Sequence, residues 1–308
     1  MCLEELTCGC HRWKTDSRQN LFLFLPARRM VFTLPKTAIG DSNLGTEPSE
    51  TVFSVFAYGA RIEFQLPPAL LGELPSPIVP DAKIDDRGPS DAVLSVRLNR
   101  NAEGESLFEI AENGMVLGTE VSLRAAKDAV ESWAQLAVAR LAKGLIFVHA
   151  GVVGWRDRAI VIPGRSLSGK TTLVLALVEA GADYYSDEYA IFDSEGRVHP
   201  YWRLPKLKAA PIHTLPSRDL GSVLCGPPPR PIPLGWVFIS RYEDGSSWQP
   251  RRLTCGGTLL GLLDNTIPLR SRPEESVKAL AKAMTNAQGF EGLRGEAASF
   301  ARQVLASL

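Results

Sequence analysis

A glycine-rich segment of eight residues, Gly164–Thr171, lies between an apolar run and a helical pattern and fixes the local fold. The run Ala159–Ile162 is typical of a buried strand, and Thr172–Val178 is typical of a buried helix that Gly181 ends. The segment reads Gly-Arg-Ser-Leu-Ser-Gly-Lys-Thr and fits the pattern G-x-x-x-x-G-K-S/T at each fixed position. A strand, this loop and a helix in that order predict an α/β domain.

The same segment has the chemistry of a triphosphate site. Its glycines let successive backbone N–H groups point at phosphate oxygens, and the following helix presents its positive end to the same anion. Lys170 can reach the β- and γ-phosphates, and Thr171 can place a hydroxyl on Mg²⁺. We therefore expect a nucleoside triphosphate and Mg²⁺ as ligands. The predicted nucleotide-binding residues are Gly164, Arg165, Ser166, Leu167, Ser168, Gly169, Lys170, Thr171 and Thr172.

Two acidic residues and a histidine stand on strands predicted close to the loop. Asp187 and Glu188 fall within the strand-like run Tyr184–Phe192, at or near a strand end that we expect beside the strand feeding the loop. Adjacent strand residues point to opposite faces unless the strand has ended, so one carboxylate could hold the metal while the other acts elsewhere. A carboxylate in such a site can also take a proton from a hydroxyl nucleophile. His149 ends the predicted strand Leu145–Val148, and its imidazole suits proton transfer or phosphate contact.

Taken in order, these three features resemble the catalytic domain of the HPr kinase/phosphorylase family. That family joins a strand ending in histidine, a G-x-x-x-x-G-K-S/T loop and a strand end with two aspartates. This chain has Val148-His149-Ala150-Gly151, then the loop, then Ser186-Asp187-Glu188, with glutamate at the second acidic position. The resemblance covers about residues 145–200 and extends loosely to 305. It implies an α/β fold related to phosphoenolpyruvate carboxykinase, with a mixed sheet.

The resemblance also implies an activity, namely transfer of the γ-phosphoryl group of ATP to a serine hydroxyl. Carried over by position, His149 and Asp187 would be the catalytic residues that handle the proton, and Lys170 would hold the phosphates. Thr171 with Asp187 or Glu188 would hold Mg²⁺. The chain looks more like the divergent HPr-kinase-related proteins, so the implied acceptor is a serine of a peptide, a protein or the free amino acid. The resemblance allows a homo-oligomer.

A second function remains open, a nucleotide-binding regulatory or scaffold protein that hydrolyses slowly or not at all. The glutamate at position 188 and the lack of a Glu-Ile-Arg-Gly-x-Gly segment motivate it. A transport ATPase is disfavoured because no Leu-Ser-Gly-Gly sequence occurs, and a GTPase because no Asn-Lys-x-Asp sequence occurs. Arginines could stabilise charge in phosphoryl transfer. The candidates are Arg165, Arg203, Arg251, Arg252, Arg270 and Arg272.

Three parts of the chain differ in pattern. Residues 1–29 lack clear periodicity and are predicted to be a disordered tail. Residues 30–123 are predicted to form a β-rich N-terminal domain, with turns at Tyr58-Gly59-Ala60 and Asn113-Gly114. Residues 124–308 are predicted to form the HPr-kinase-like nucleotide-binding domain. A helix that begins at Ser122 and is ended by Gly144 is expected to bridge the two halves.

Composition restricts the partners. Lys+Arg and Asp+Glu both total 34, so the formal net charge is zero and no broad basic surface for nucleic acid is expected. No apolar stretch approaches the ~20 residues of a membrane span, and no signal-peptide pattern occurs. Five scattered cysteines indicate a reducing compartment. The sequence therefore predicts a cytoplasmic protein without membrane or nucleic-acid partners.

Overall fold

A computed structural model describes residues 50–75, 77–100, 106–165, 168–205 and 227–308, which all belong to one compact unit. The predicted tail 1–29 and the first 20 residues of the predicted β-rich domain, 30–49, lie outside the described residues. Within those residues the fold is mixed α/β, with two mixed sheets and six α-helices. No described helix is long and apolar enough to cross a membrane.

In the part of the chain that the structure describes, the first sheet has six strands in the order β3-β1-β2-β4-β5-β6. The strands are β1 Thr51–Ala57, β2 Ala60–Leu66, β3 Lys83–Ile84, β4 Ala92–Arg100, β5 Ser106–Glu112 and β6 Met115–Glu120. All neighbouring pairs are antiparallel except β2 and β4, which are parallel. Both predicted hairpin turns are confirmed, and the turn residues Tyr58, Gly59, Asn113 and Gly114 all have positive φ, as a tight two-residue hairpin requires.

Helix α2, Leu123–Leu141, connects the two sheets, as expected, and the short α1, Pro68–Leu71, lies beside it. The Ser122 side chain accepts a hydrogen bond from the Ala125 backbone N–H at 3.2 Å and caps the helix. The helix ends earlier than predicted because Ala142 turns to ψ 134°, before Gly144 is reached. Its buried side packs in one core with β1, β2 and β4 and with Phe147 of the second sheet.

The second sheet has eight described strands, ordered β11-β10-β7-β8-β12-β14-β13, with β9 also paired to β7. The strands are β7 Leu145–Trp155, β8 Arg158–Pro163, β9 Asp183–Ser186, β10 Tyr189–Asp193, β11 Arg197–His199, β12 Ile232–Tyr242, β13 Arg251–Arg252 and β14 Gln288–Arg294. Strands β8, β12 and β14 run parallel, whereas β7 is antiparallel to β8, β9 and β10. The carboxyl ends of the three parallel strands therefore share the edge where the glycine-rich loop begins.

Two predicted strands are wrong in extent. The strand predicted as Leu145–Val148 continues through Ala150-Gly151 to Trp155, so His149 lies inside it and not at its end. The run Tyr184–Phe192 is two strands, β9 and β10, separated by Asp187 and Glu188. Both strands pair with β7, so the acidic pair does not neighbour β8, the strand that feeds the loop.

Four further helices lie among the described residues of the unit: α3 Lys170–Glu179, α4 Cys255–Leu263, α5 Pro273–Ala283 and α6 Ala297–Ser307. Short 3₁₀ turns occupy Ile267–Arg270 and Met284–Asn286. Helices α3 and α6 share one core with β8, on one face of the second sheet. Helices α4 and α5 contribute to another, which includes residues of β7 and β12. Proline at the first position of α5 suits a helix start, and Glu274 and Glu275 in its first turn complement the helix dipole.

Candidate functional site

The glycine-rich loop lies between β8 and α3, as the sequence predicts. Its described residues are Gly164, Arg165, Ser168 and Gly169, followed by the helix at Lys170, while positions 166 and 167 lie outside the described residues. Gly169 caps α3 with φ +83°, a left-handed conformation that favours glycine. The Gly164 backbone N–H donates to the His149 carbonyl at 3.2 Å, so the loop starts against the strand that carries the histidine.

A second glycine on β7 brings helix α3 close to this strand. A Cβ atom on Gly151 would lie 2.6 Å from Cγ2 of Val174 and 3.6 Å from Cβ of Lys170. Only a residue without a side chain permits that approach. The first turn of α3, which carries Lys170 and Thr171, therefore packs directly beside the strand of His149.

The Lys170 side chain lies in the loop, with its ammonium donating to the Arg165 carbonyl at 2.8 Å. The residue is 6% exposed. Burial lowers the pKa of Lys170, while the negative charges of Glu188 and Asp187 act in the opposite direction. A carbonyl is a weak partner for a buried ammonium, so a phosphate entering the loop would find a cation that gains from pairing.

Thr171 and Asp187 form the part of the site that suits a magnesium ion. The Thr171 hydroxyl donates to Oδ2 of Asp187 at 3.1 Å. Two oxygens about 3 Å apart fit neighbouring positions of a Mg²⁺ octahedron with bonds of about 2.1 Å. Within the described residues, no cluster of three or more His, Cys, Asp and Glu side chains could hold a metal. Magnesium sites with nucleotides use one or two carboxylates and complete the shell with phosphates and water, so this donor set fits.

A kink between β9 and β10 separates the two carboxylates. The Ser186 hydroxyl accepts hydrogen bonds from the backbone N–H groups of Glu188 and Tyr189 at 3.1 and 3.0 Å and so holds a tight turn. The Glu188 carbonyl accepts from the Ala150 N–H at 3.1 Å, which places the kink beside β7. Because the strand is interrupted, the two acidic side chains go to different partners.

Glu188 pairs with the histidine. Its Oε1 lies 3.4 Å from Nε2 of His149, and both side chains are partly exposed. Burial acts to raise the pKa of Glu188, but the hydrogen bond and charge of His149, with the charges of Arg203 and Lys170, hold that pKa below its ordinary value. Glu188 is therefore an ionised carboxylate with an imidazole beside it, at the edge of the phosphate loop.

Asp187, in contrast, is 2% exposed and surrounded by polar partners. The Tyr184 hydroxyl lies 3.3 Å from its Oδ1 and donates to the Arg203 carbonyl at 2.9 Å. Arg203 Nε is 4.0 Å from the same carboxylate oxygen. Burial raises the pKa of Asp187, against the positive charge of Arg203 and the hydrogen bond from Thr171. A divalent cation at this carboxylate would offset that desolvation.

Arg203 is the predicted arginine that reaches the acidic pair. Its Nη1 donates to Oε1 of Gln135 on α2 at 2.7 Å, which ties the kink to the bridging helix. The other predicted arginines lie elsewhere. Arg251 pairs with Glu291 at the surface, Arg272 donates to backbone carbonyls, and Arg252 and Arg270 are exposed. Arg165 is exposed in the loop itself.

Arg294, at the end of β14, also reaches the loop, although it is not among the arginines that the sequence suggests. This residue is 4% exposed, its Nη2 donates to the Ser168 carbonyl at 3.4 Å, and its guanidinium lies over the Tyr242 ring. Its Nε has no hydrogen-bond partner among the described residues. Burial lowers the pKa of Arg294, against the influence of Tyr242 and Glu296. The parallel pairing of β14 with β12 brings it to the loop, and no local motif signals that pairing.

Comparison with known proteins assigns no family. No protein-family model matches the chain, and no curated protein matches it. Any conclusion about function therefore depends on the geometry of the site's own residues.

Proposed function

We propose that this chain is an ATP-dependent serine kinase with a phosphoenolpyruvate-carboxykinase-like P-loop domain of the HPr-kinase-like type. One observation carries the proposal. The loop between β8 and α3, the Thr171–Asp187 pair and the His149–Glu188 pair lie together at one edge of the second sheet. A site that only binds nucleotide needs the first two, whereas the third is the additional element that hydroxyl activation requires.

The contacts support a division of labour between the two carboxylates. Thr171 and Asp187 would hold Mg²⁺, which neutralises charge on the β- and γ-phosphates when bound. Glu188, with His149 beside it, would accept the proton of the acceptor hydroxyl. The family resemblance gives the proton to Asp187 with His149, but Asp187 is buried against Thr171, Tyr184 and Arg203. We therefore assign proton transfer to Glu188 and His149.

The reaction balances with ATP as the phosphoryl donor. The acceptor oxygen forms a bond to the γ-phosphorus as its proton passes to the Glu188–His149 pair. The bond from that phosphorus to the bridging oxygen breaks, and ADP leaves with the electron pair. Lys170 would stabilise charge on the phosphates, and the N–H groups at the start of α3 would do the same.

Phosphoryl transfer from radiolabelled ATP and Mg²⁺ to serine-containing peptides and to free serine tests the proposal. Glu188→Gln should lower kcat at least ~100-fold, the size of a lost general base. Glu275→Gln, at a side chain 61% exposed on α5, is the matched control and should retain full activity. Transfer by Glu188→Gln at the unmodified rate would refute the assignment. ATP binding by the unmodified protein without transfer to any acceptor would instead support a regulatory or scaffold protein.

A further inference from the structure

An open cleft of about 520 Å³ reaches His149, the histidine that pairs with Glu188. His149 and Arg165 line the cleft, and Arg165 is part of the phosphate loop. Its apolar walls include Met115 and Leu117 from β6 and Leu136 from α2. The cleft therefore connects the edge of the first sheet with the histidine that we place beside the reacting hydroxyl.

We propose that this cleft binds the phosphoryl acceptor, and that the acceptor is a peptide with apolar residues beside its serine. The inference rests on the proposed kinase function. The walls offer apolar surface that a partner could cover, since Met115 is 72% exposed. Free serine has no apolar group to fill such a cleft, so a peptide suits it better.

The charges in the cleft favour the same acceptor. Glu112 and Arg140 form an ion pair with each other, so neither needs a partner from the acceptor. Asp264 also lines the cleft, is exposed, and makes no ion pair within the described residues. Arg165 belongs to the phosphate loop, where its charge would face the phosphates of ATP. The carboxylate of Asp264 is therefore the charge left to face the acceptor, and it disfavours acidic residues next to the serine.

In-line transfer places the acceptor on the side of the γ-phosphate that faces His149 and the nucleoside on the opposite side. The attacking and leaving oxygens lie on opposite sides of the γ-phosphorus. Because the His149–Glu188 pair would contact the attacking oxygen, ADP must extend away from it. The cleft that opens from His149 is therefore on the acceptor side of the loop, and the adenine base belongs elsewhere.

Two exposed positions near each other in sequence give a matched test. Met115→Glu places a charge in the cleft. Val121→Glu places the same charge at a residue that is 74% exposed and does not line the cleft. The probes are a heptapeptide with leucine on both sides of a central serine, the same peptide with aspartate on both sides, and free serine. Transfer from ATP and binding of the labelled leucine peptide without ATP are both measured.

We expect the leucine peptide to be phosphorylated with kcat/KM at least ~10-fold above the aspartate peptide, the effect of burying an apolar side chain. Met115→Glu should raise the KM and the Kd for the leucine peptide about tenfold and leave the KM for ATP unchanged. Val121→Glu should change none of these three constants. Three results would overturn the cleft assignment: unchanged kinetics for the leucine peptide in Met115→Glu, a preference for free serine, or a raised KM for ATP in Met115→Glu without a change for the peptide. If Met115→Glu weakens binding of the leucine peptide but the unmodified protein phosphorylates none of the probes, the kinase proposal is wrong and the peptide-binding site is supported.

Discussion

Gly169 occupies a position where one added carbon atom should damage the phosphate loop in two ways. The residue has φ +83°, and a Cβ there would lie 2.8 Å from Nη2 of Arg294. Arg294 cannot move freely because it is buried, donates to Ser168 and lies over the Tyr242 ring. Gly169→Ala therefore combines backbone strain with a clash against a confined guanidinium.

The two effects can be given separate magnitudes. Left-handed backbone costs a residue with a side chain about 1–2 kcal/mol. Overpacking against the end of a long side chain adds about 1 kcal/mol, the lower end of the usual range. We expect Gly169→Ala to lower the free energy of unfolding by about 2–3 kcal/mol and to weaken ATP binding about tenfold, which corresponds to ~1.4 kcal/mol.

A glycine elsewhere isolates the backbone contribution. Gly114 has φ +80° in a hairpin turn, and a Cβ there would meet no atom within 4 Å. Gly114→Ala should therefore cost only about 1–2 kcal/mol and leave ATP binding unchanged. Urea denaturation followed by tryptophan fluorescence gives both stabilities, and calorimetric titration gives the ATP affinity. Equal destabilisation by the two variants, or normal ATP affinity of Gly169→Ala, would refute the steric argument.

Three further substitutions test the packing around the acidic pair and beneath helix α3. Arg203→Met removes the cation 4.0 Å from Asp187 and should destabilise the fold by about 3–5 kcal/mol in urea denaturation; a loss below ~1 kcal/mol would show that the charge is solvated. Tyr184→Phe removes the hydroxyl bonded to the Arg203 carbonyl and should cost about 1 kcal/mol in the same assay, so an unchanged midpoint would contradict its role. Gly151→Ala places a Cβ 2.6 Å from Val174 and should lower the thermal midpoint, with a cost of about 1–3 kcal/mol; an unaltered midpoint would mean that α3 shifts freely.

Local signals in the sequence were sufficient for the hairpins and for the bridging helix. Asn113-Gly114 adopts the positive φ angles that a tight turn needs, and residues with that ability are few. Ser122 caps α2 through a bond to a residue three positions later. The strand–loop–helix order at residues 158–179 was also predicted correctly, because the glycine pattern and the apolar runs are contiguous.

The features that the sequence does not predict depend on pairing between strands that are distant in the chain. Ala150-Gly151 looks like the end of a strand, but β8 and the β9–β10 segment pair with β7 on its two sides and extend it to Trp155. The kink at Asp187 and Glu188 depends on the Ser186 hydroxyl, and the residue pattern reads as one strand. Arg294 reaches the loop only because β14 pairs with β12.

The sequence therefore predicts which candidate residues lie near the loop, but it does not predict which of them pair. His149, Lys170, Thr171, Asp187 and Glu188 all lie at the loop. Sequence spacing could not assign either carboxylate to its neighbour, because that choice depends on the direction of two side chains after a kink. The assignment of each partner requires three-dimensional coordinates.

Titration of ATP by calorimetry, with and without Mg²⁺, tests the central claim most directly. The unmodified protein should bind ATP more tightly with Mg²⁺. Asp187→Asn should lose that magnesium advantage, because Asp187 is the carboxylate bonded to Thr171. Glu188→Gln should keep the magnesium advantage within about threefold, because the Glu188 carboxylate pairs with His149 and is not needed to hold the metal. Loss of the advantage in Glu188→Gln with retention in Asp187→Asn, or no ATP binding by the unmodified protein, would contradict the claim.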